Sequence, residues 1–261
     1  MDLTTLARAK AYLGQTSSAQ DVMISALISR ASDAIIQWTS RAFNRVVHTD
    51  ERFDGTGSAT IMITSYPVIS VEKVQIDGTI IQQSLDALAA GWQNDDKFLY
   101  LFGGYKFTRG IRNVLMSWTS GFTDSETDFI PGSAPYTITP THTTADGSAF
   151  AATDLGVIFT SNSQPLTRVG SNPLASQYSF ADGVYTFNAA NTGTSVKMSY
   201  DYVPGAIEQA AIELVSFEIK HRDTLGLQSK SLAGESITFD NKIPESVQRM
   251  LDGYRRTVPY L

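Results

Sequence analysis

The sequence predicts an α+β fold: a helical core carrying antiparallel β-hairpins, interrupted by an inserted all-β domain. Three observations carry that expectation. Apolar residues recur with helical period near the start of the chain and again from Pro204 onward. Between Arg45 and Trp118 the period is two, as in half-buried strands. Composition breaks at Pro131, and from there to Tyr200 the only basic residues are Arg168 and Lys197. The expected organisation is residues 1–130 as the first part of the core, 131–202 as the insert and 203–261 as the second part. Insertion is tolerated at exposed loops whose ends lie close together.

Thr4 or Thr5 is placed to cap a short helix through Leu13, with Gly14 to end it. Ser18 and Asp21 make a start resembling a capping box for a second helix from about Ala19 to Ser40. Its apolar face is Met23, Ile24, Leu27, Ile28, Ala31, Ala34, Ile35 and Trp38. Thr60–Thr64 reads as a short strand, interrupted at Tyr66-Pro67-Val68. Val71–Ile76, Asp77-Gly78 and Thr79–Ile81 read as a hairpin with a two-residue turn. Lys97–Phe102 and Arg112–Trp118 are further strands, and in the second Val114, Met116 and Trp118 share a face.

Within the expected insert, Gly156–Thr160, Gln177–Phe180, Gly183–Phe187 and Val196–Tyr202 read as strands of a small antiparallel domain. Val196, Met198, Tyr200 and Tyr202 alternate onto one face. The aromatics Tyr178, Tyr185, Phe187, Tyr200 and Tyr202 fit core positions. Alternatively they line a platform for sugar.

The stretch Pro204–Asp223 organises the second part. Proline suits a helix start, and no glycine or proline follows until Gly226. At helical spacing its apolar residues fan over an arc of roughly 220°, against the ~100° needed to face one core. Partners must cover this helix from two directions, in the same chain or in a neighbouring copy. On that ground Glu208, Ile212, Val215, Glu218 and Ile219 are candidate contacts between subunits. The two glutamates inside the apolar arc either reach solvent at an edge or pair with an arginine across the contact. Thr224–Lys242 is polar and is expected to be a mobile loop. A last helix opens at Ile243-Pro244, with Val247, Met250, Leu251 and Tyr254 on one side. Tyr254, Arg255, Arg256, Tyr260 and Leu261 then combine guanidinium groups, tyrosines and an apolar end, residue types enriched in protein interfaces.

The chain has 20 lysines and arginines against 26 aspartates and glutamates, a net charge of −6. No basic surplus exists to neutralise phosphates, so a specific nucleic-acid binder is disfavoured. The absence of cysteine excludes disulfides and thiolate chemistry and fits synthesis in a reducing cytoplasm. The N-terminus lacks the pattern of a secretory signal, and no apolar run is long enough to span a membrane. His48, His142 and His221 lie far apart without metal-ligand spacing, and neither a phosphate loop nor a nucleophile elbow is present. The acidic cluster Asp50, Glu51 and Asp54 lacks the alternating ligands of a calcium loop. No enzyme, metal or cofactor is expected.

Taken in order, LARAKAYLG, ISRASDAIIQWTSRAF, SYPVISVEKVQIDG, NVLMSWTSGF, VPGAIEQAAIELVSFEIKHRD and IPESVQRMLDGYRR resemble the head–tail connector (adaptor) proteins of tailed bacteriophages. The resemblance covers about residues 1–130 and 204–261. It implies a structural virion protein, made in the host cytoplasm, that forms a ring of twelve copies at the head–tail interface. Such a ring docks beneath the portal protein, meets a tail or neck protein below and extends the channel through which DNA passes without sequence-specific contacts. It also implies that Tyr254, Arg255, Arg256, Tyr260 and Leu261 face the portal. The insert resembles small β-modules of phage structural proteins, and the alternative reading is a tail or baseplate component with a carbohydrate-binding β-domain.

Overall fold

A computed structural model describes residues 2–86, 89–140, 143–144, 147–148, 150–221, 229–232, 235–238 and 243–256. The chain is α+β and mostly β, and its contacts divide it into two compact units, residues 1–40 with 124–255 and residues 41–123 with 256–261. Contacts thus draw the boundary elsewhere than composition does, joining the helices at both ends with the stretch after residue 123.

The first unit opens with α1 (Leu6–Leu13) and α2 (Asp21–Thr39). The Thr5 hydroxyl accepts the Arg8 N–H, one of the donors that a helix start leaves unpaired, and Gly14 closes α1. Lys10 of α1 pairs with Asp21 in the first turn of α2 at 2.6 Å. The capping box expected at Ser18 does not form. Gln20 is the N-cap without a side-chain bond, and the Ser18 carbonyl instead accepts the Asp21 N–H. Ile24, Ile28, Ala31 and Ile35 are the buried apolar stripe of α2.

The second unit is built from strands. Its four-stranded sheet has the order β1-β7-β3-β4, from β1 (Val46–Gly55), β7 (Gly110–Ser120), β3 (Val68–Ile76) and β4 (Thr79–Ile81). Its three-stranded sheet has the order β2-β6-β5, from β2 (Thr60–Met62), β6 (Phe98–Phe102) and β5 (Gly91–Asn94). The Asp77-Gly78 hairpin is present, with φ of 49° and 85°, as a two-residue turn with positive φ at both central residues requires. Thr60–Thr64 stops as a strand at Met62, although the Ile63 N–H still bonds the Lys97 carbonyl at 2.8 Å in the register of the β2/β6 pair. Val74, Ile76, Leu99, Leu101, Val114, Met116 and Trp118 are buried in one core.

The chain then re-enters the first unit. A three-stranded sheet has the order β12-β16-β8, from β8 (Thr123–Phe129), β12 (Phe150–Phe159) and β16 (Ser195–Val203). A second sheet has the order β13-β14-β15-β9, from β9 (Thr137–Ile138), β13 (Thr167–Val169), β14 (Gln177–Ala181) and β15 (Val184–Phe187). The pair β13/β14 is parallel, so this part is not wholly antiparallel as expected. Short β10 (Thr143–Thr144) and β11 (Gly147–Ser148) pair with each other. Strand β8, too polar to be read as a strand from its sequence, borders β16.

Strand β16 runs into α3 (Gly205–His221). Within the region expected to be a loop, β17 (Ser229–Leu232) and β18 (Glu235–Thr238) form an antiparallel pair; residues 222–228, 233–234 and 239–242 lie outside the described residues. Helix α4 (Glu245–Asp252) closes the unit and packs on α2 and α3.

Candidate assembly surfaces

Helix α3 is covered from within the chain. Ile207, Ala210, Ala211, Ile212, Leu214 and Val215 are buried, and α1, α2 and α4 supply the cover. Glu208 sits in the first turn, where a carboxylate complements the helix dipole. Its side chain is only 5% exposed, and its oxygens accept Arg8 Nε, Arg8 Nη2 at 2.7 Å and the Thr4 hydroxyl at 3.1 Å. Glu218 lies 3.7 Å from Arg30 of α2. Both glutamates therefore find an arginine in their own chain. This narrows the expectation for the five candidate contact residues. Ile212 and Val215 have almost no surface to offer a second copy, because the cover expected from two directions comes from three helices of the same chain. Ile219 is half-buried and keeps surface for a neighbour, as does part of Glu218.

The C-terminal candidates leave the fold where α4 ends. Val247 and Leu251 anchor that helix, and an exposed Glu245–Arg249 pair at 2.7 Å lies on its outer side. The Tyr254 N–H bonds the Leu251 carbonyl at 2.9 Å, and the ring is half-buried. Arg255 and Arg256 are exposed, with the Arg255 guanidinium 5.8 Å from the Trp38 ring centre. Tyr260 and Leu261 lie outside the described residues.

The β-part of the first unit is held by a buried carboxylate. Asp154 of β12 accepts the Tyr178 hydroxyl at 2.7 Å, the Tyr185 hydroxyl at 3.1 Å and the Gly156 N–H at 3.0 Å. Arg168 of β13 stands 3.5 Å away. Burial, reinforced by this carboxylate, pushes the Tyr178 and Tyr185 hydroxyls well above the usual tyrosine range. Burial and Glu126 do the same for Tyr200. Tyr178, Tyr185, Phe187 and Tyr200 are core residues, so they offer no platform to a sugar. Alternation on a strand sends every second side chain inward, and here the inward set is the aromatic one.

One arrangement was not legible beforehand. His48 Nδ1 is 2.7 Å from Glu51, its Nε2 is 3.0 Å from the Ser120 hydroxyl, and its ring stacks on Trp118 at 4.2 Å. A register shift in β1 between His48 and Glu51, with Asp50 at φ 52°, brings the pair to one side. The order hydroxyl–imidazole–carboxylate matches that of a hydrolytic triad. Ser120 is only 5% exposed, however, so the arrangement is a clasp between β1 and β7. Asp50 bonds Lys73 at 3.0 Å and Asp54 accepts the Arg112 N–H at 2.6 Å, which accounts for the remaining acidic cluster. Among the described residues no group of three or more His, Cys, Asp or Glu side chains is placed to hold a metal, and no helix is long and apolar enough to cross a membrane.

A family model described as "Head completion protein" matches residues 2–126 and 170–257. No curated protein sequence matches the chain. A solved structure described as "Neck of empty GTA particle computed with C6 symmetry" is similar over 99% of this chain and 92% of that chain, at 14% identity and a TM-score of 0.39. The two matched stretches pass over residues 127–169, which contain β9 to β13.

Proposed function

The chain belongs to the head completion protein family, and from that premise we propose that it forms a ring, of twelve copies, beneath the portal of a tailed particle. Its role is structural, joining head to tail. The family match over most of the chain is the observation that carries this reading. The ring extends the portal channel, meets a tail or neck protein below and lets DNA leave without sequence-specific contacts. The insert was expected over residues 131–202, but the family match includes residues 170–202 and passes over 127–169, so only that shorter stretch is a candidate for a part particular to this chain.

Attachment to the portal runs through the C-terminus. Tyr254, Arg255 and Arg256 leave α4 at Gly253, two of them exposed and cationic. On the portal the planar guanidinium groups pair with carboxylates, and Tyr260 and Leu261 enter a groove between portal subunits. The test is co-sedimentation of full-length and 254–261-truncated chains with portal rings from the same particle. Truncation is expected to leave the thermal melt unchanged and to abolish sedimentation with the rings. Equal binding by both chains would place the attachment surface elsewhere.

A further inference from the structure

We propose that the loop of residues 104–112, which takes in the first residues of β7, docks into a groove on the first unit of a neighbouring copy, and that this contact joins the ring. The inference rests on the ring reading above and names its surfaces. The loop is a built structure. Phe107 is fully buried, its N–H bonds the Ser58 carbonyl at 2.8 Å and its carbonyl accepts the Gly57 N–H at 2.6 Å. The Thr108 hydroxyl donates to Asp77, and Asn113 Nδ2 donates to Asp77 at 3.0 Å and to the Thr108 carbonyl at 2.9 Å. Gly55 and Gly110 leave room for this packing, since a Cβ on Gly55 would meet the Thr108 carbonyl and one on Gly110 the Asn113 amide.

What that frame holds outward is unusual. Ile111 is 87% exposed and Tyr105 44% exposed, among the exposed cations Lys106, Arg109 and Arg112. Among the described residues none of these three cations has a carboxylate at ion-pair distance. A rigid loop presenting a tyrosine, two arginines and a bare isoleucine has the composition of an interface centre and loses little freedom on binding.

The complementary surface lies on α1. Leu6, Ala7 and Ala11 line an open groove of about 610 Å³ together with Lys10, Gln15 and Asp182. Lys10 is already held by Asp21, whereas Asp182, exposed in the β14–β15 turn, has no cation within ion-pair distance among the described residues. Charge favours a second copy as occupant. Residues 124–255 hold fifteen carboxylates against eight lysines and arginines, while residues 41–123 hold eight of each. The whole acidic surplus thus resides in the unit that carries the groove, and the unpaired cations lie in the unit that carries the loop. Ile111 enters between Ala7 and Ala11, and a loop cation reaches Asp182. Since loop and groove are different surfaces, the contact is head-to-tail and closes into a ring when the rotation allows.

The chain has no native cysteine, so paired cysteines report this contact cleanly. The full-length double variant Ile111→Cys/Ala7→Cys is oxidised, alone and on portal rings, and resolved under denaturing conditions, with mass photometry of Ile111→Asp and wild type alongside. A covalent ladder up to ring size, and a roughly tenfold loss of rings in Ile111→Asp at unchanged melting temperature, are the expected results. Rings that form equally well from Ile111→Asp, with no ladder from the double variant, would overturn this surface and leave the ring reading intact. Wild type that never assembles, even on portal rings, would overturn both. A loop variant that keeps its rings but loses binding to duplex DNA would make the loop a DNA contact and overturn the proposal.

Discussion

Replacing Arg8 by Met separates two roles that Glu208 could play. The substitution keeps the aliphatic stem and deletes the guanidinium, leaving a carboxylate of 5% exposure with, among the described residues, the Thr4 hydroxyl at 3.1 Å as its side-chain partner. Removing one partner of a fully buried pair costs about 3–5 kcal/mol, whereas exposed pairs are worth about 0.2–1 kcal/mol. The Arg8 side chain is 39% exposed, so water reaches the orphaned carboxylate from one side. The expected cost is therefore about 2–3 kcal/mol, a fall of roughly 5–10 °C in melting temperature for a domain of this size. Replacing both residues by Met removes the buried charge together with its partner and should return stability to within about 1 kcal/mol of wild type. Urea denaturation of wild type, the two single variants and the double variant closes the cycle. A cost below about 0.5 kcal/mol for Arg8→Met would show that the pair behaves as a surface contact, and the burial argument would be wrong. A cost that appears only in assembled rings would return Glu208 to the contact between subunits.

The burial of α3 redirects a second test. Ile212→Asp places a charge in a buried site and should unfold the subunit, seen as loss of its cooperative melt, whereas Ile219→Asp, at a half-buried position, should leave the subunit folded; a wild-type melt for Ile212→Asp would contradict the packing. The Asp77 carboxyl is held below its ordinary value of 3.8, chiefly by the Thr108 hydroxyl and then by Asn113. A depressed carboxyl stabilises the fold above that value and loses its effect as pH falls through its folded pKa. Protection against hydrogen exchange in residues 104–112, relative to the intrinsic rate at each pH, should therefore fall below about pH 4 in wild type, and Asp77→Asn should already show low protection at pH 6; equal protection in both proteins at pH 6 would remove Asp77 as the anchor. Purified protein should bind duplex DNA weakly at physiological salt. A tight complex whose affinity falls steeply with salt, implying several phosphate contacts, would contradict a channel that DNA passes freely.

Local chemistry made much of the chain legible. Thr5 and Gly14 bound α1, Asp77-Gly78 makes its hairpin, and Val114, Met116 and Trp118 face inward on β7, all from interactions between near neighbours in sequence. The resemblance to head–tail connectors agrees with the family to which the chain belongs. Period and composition failed where a partner distant in sequence decides the outcome. Strand β8, TDSETDF, has no apolar alternation and is a strand because β16, some seventy residues on, pairs with it. The parallel pair β13/β14 and the clasp of His48 with Ser120 depend on strand neighbours that no local pattern encodes. Helix α3 gives the sharpest contrast. Its wide apolar arc determined that it must be covered from several sides, since apolar side chains left in water cost free energy whatever removes them. Whether the cover came from a second copy or from α1, α2 and α4 was decided only by the tertiary structure, because the hydrophobic effect has no direction and rewards either solution.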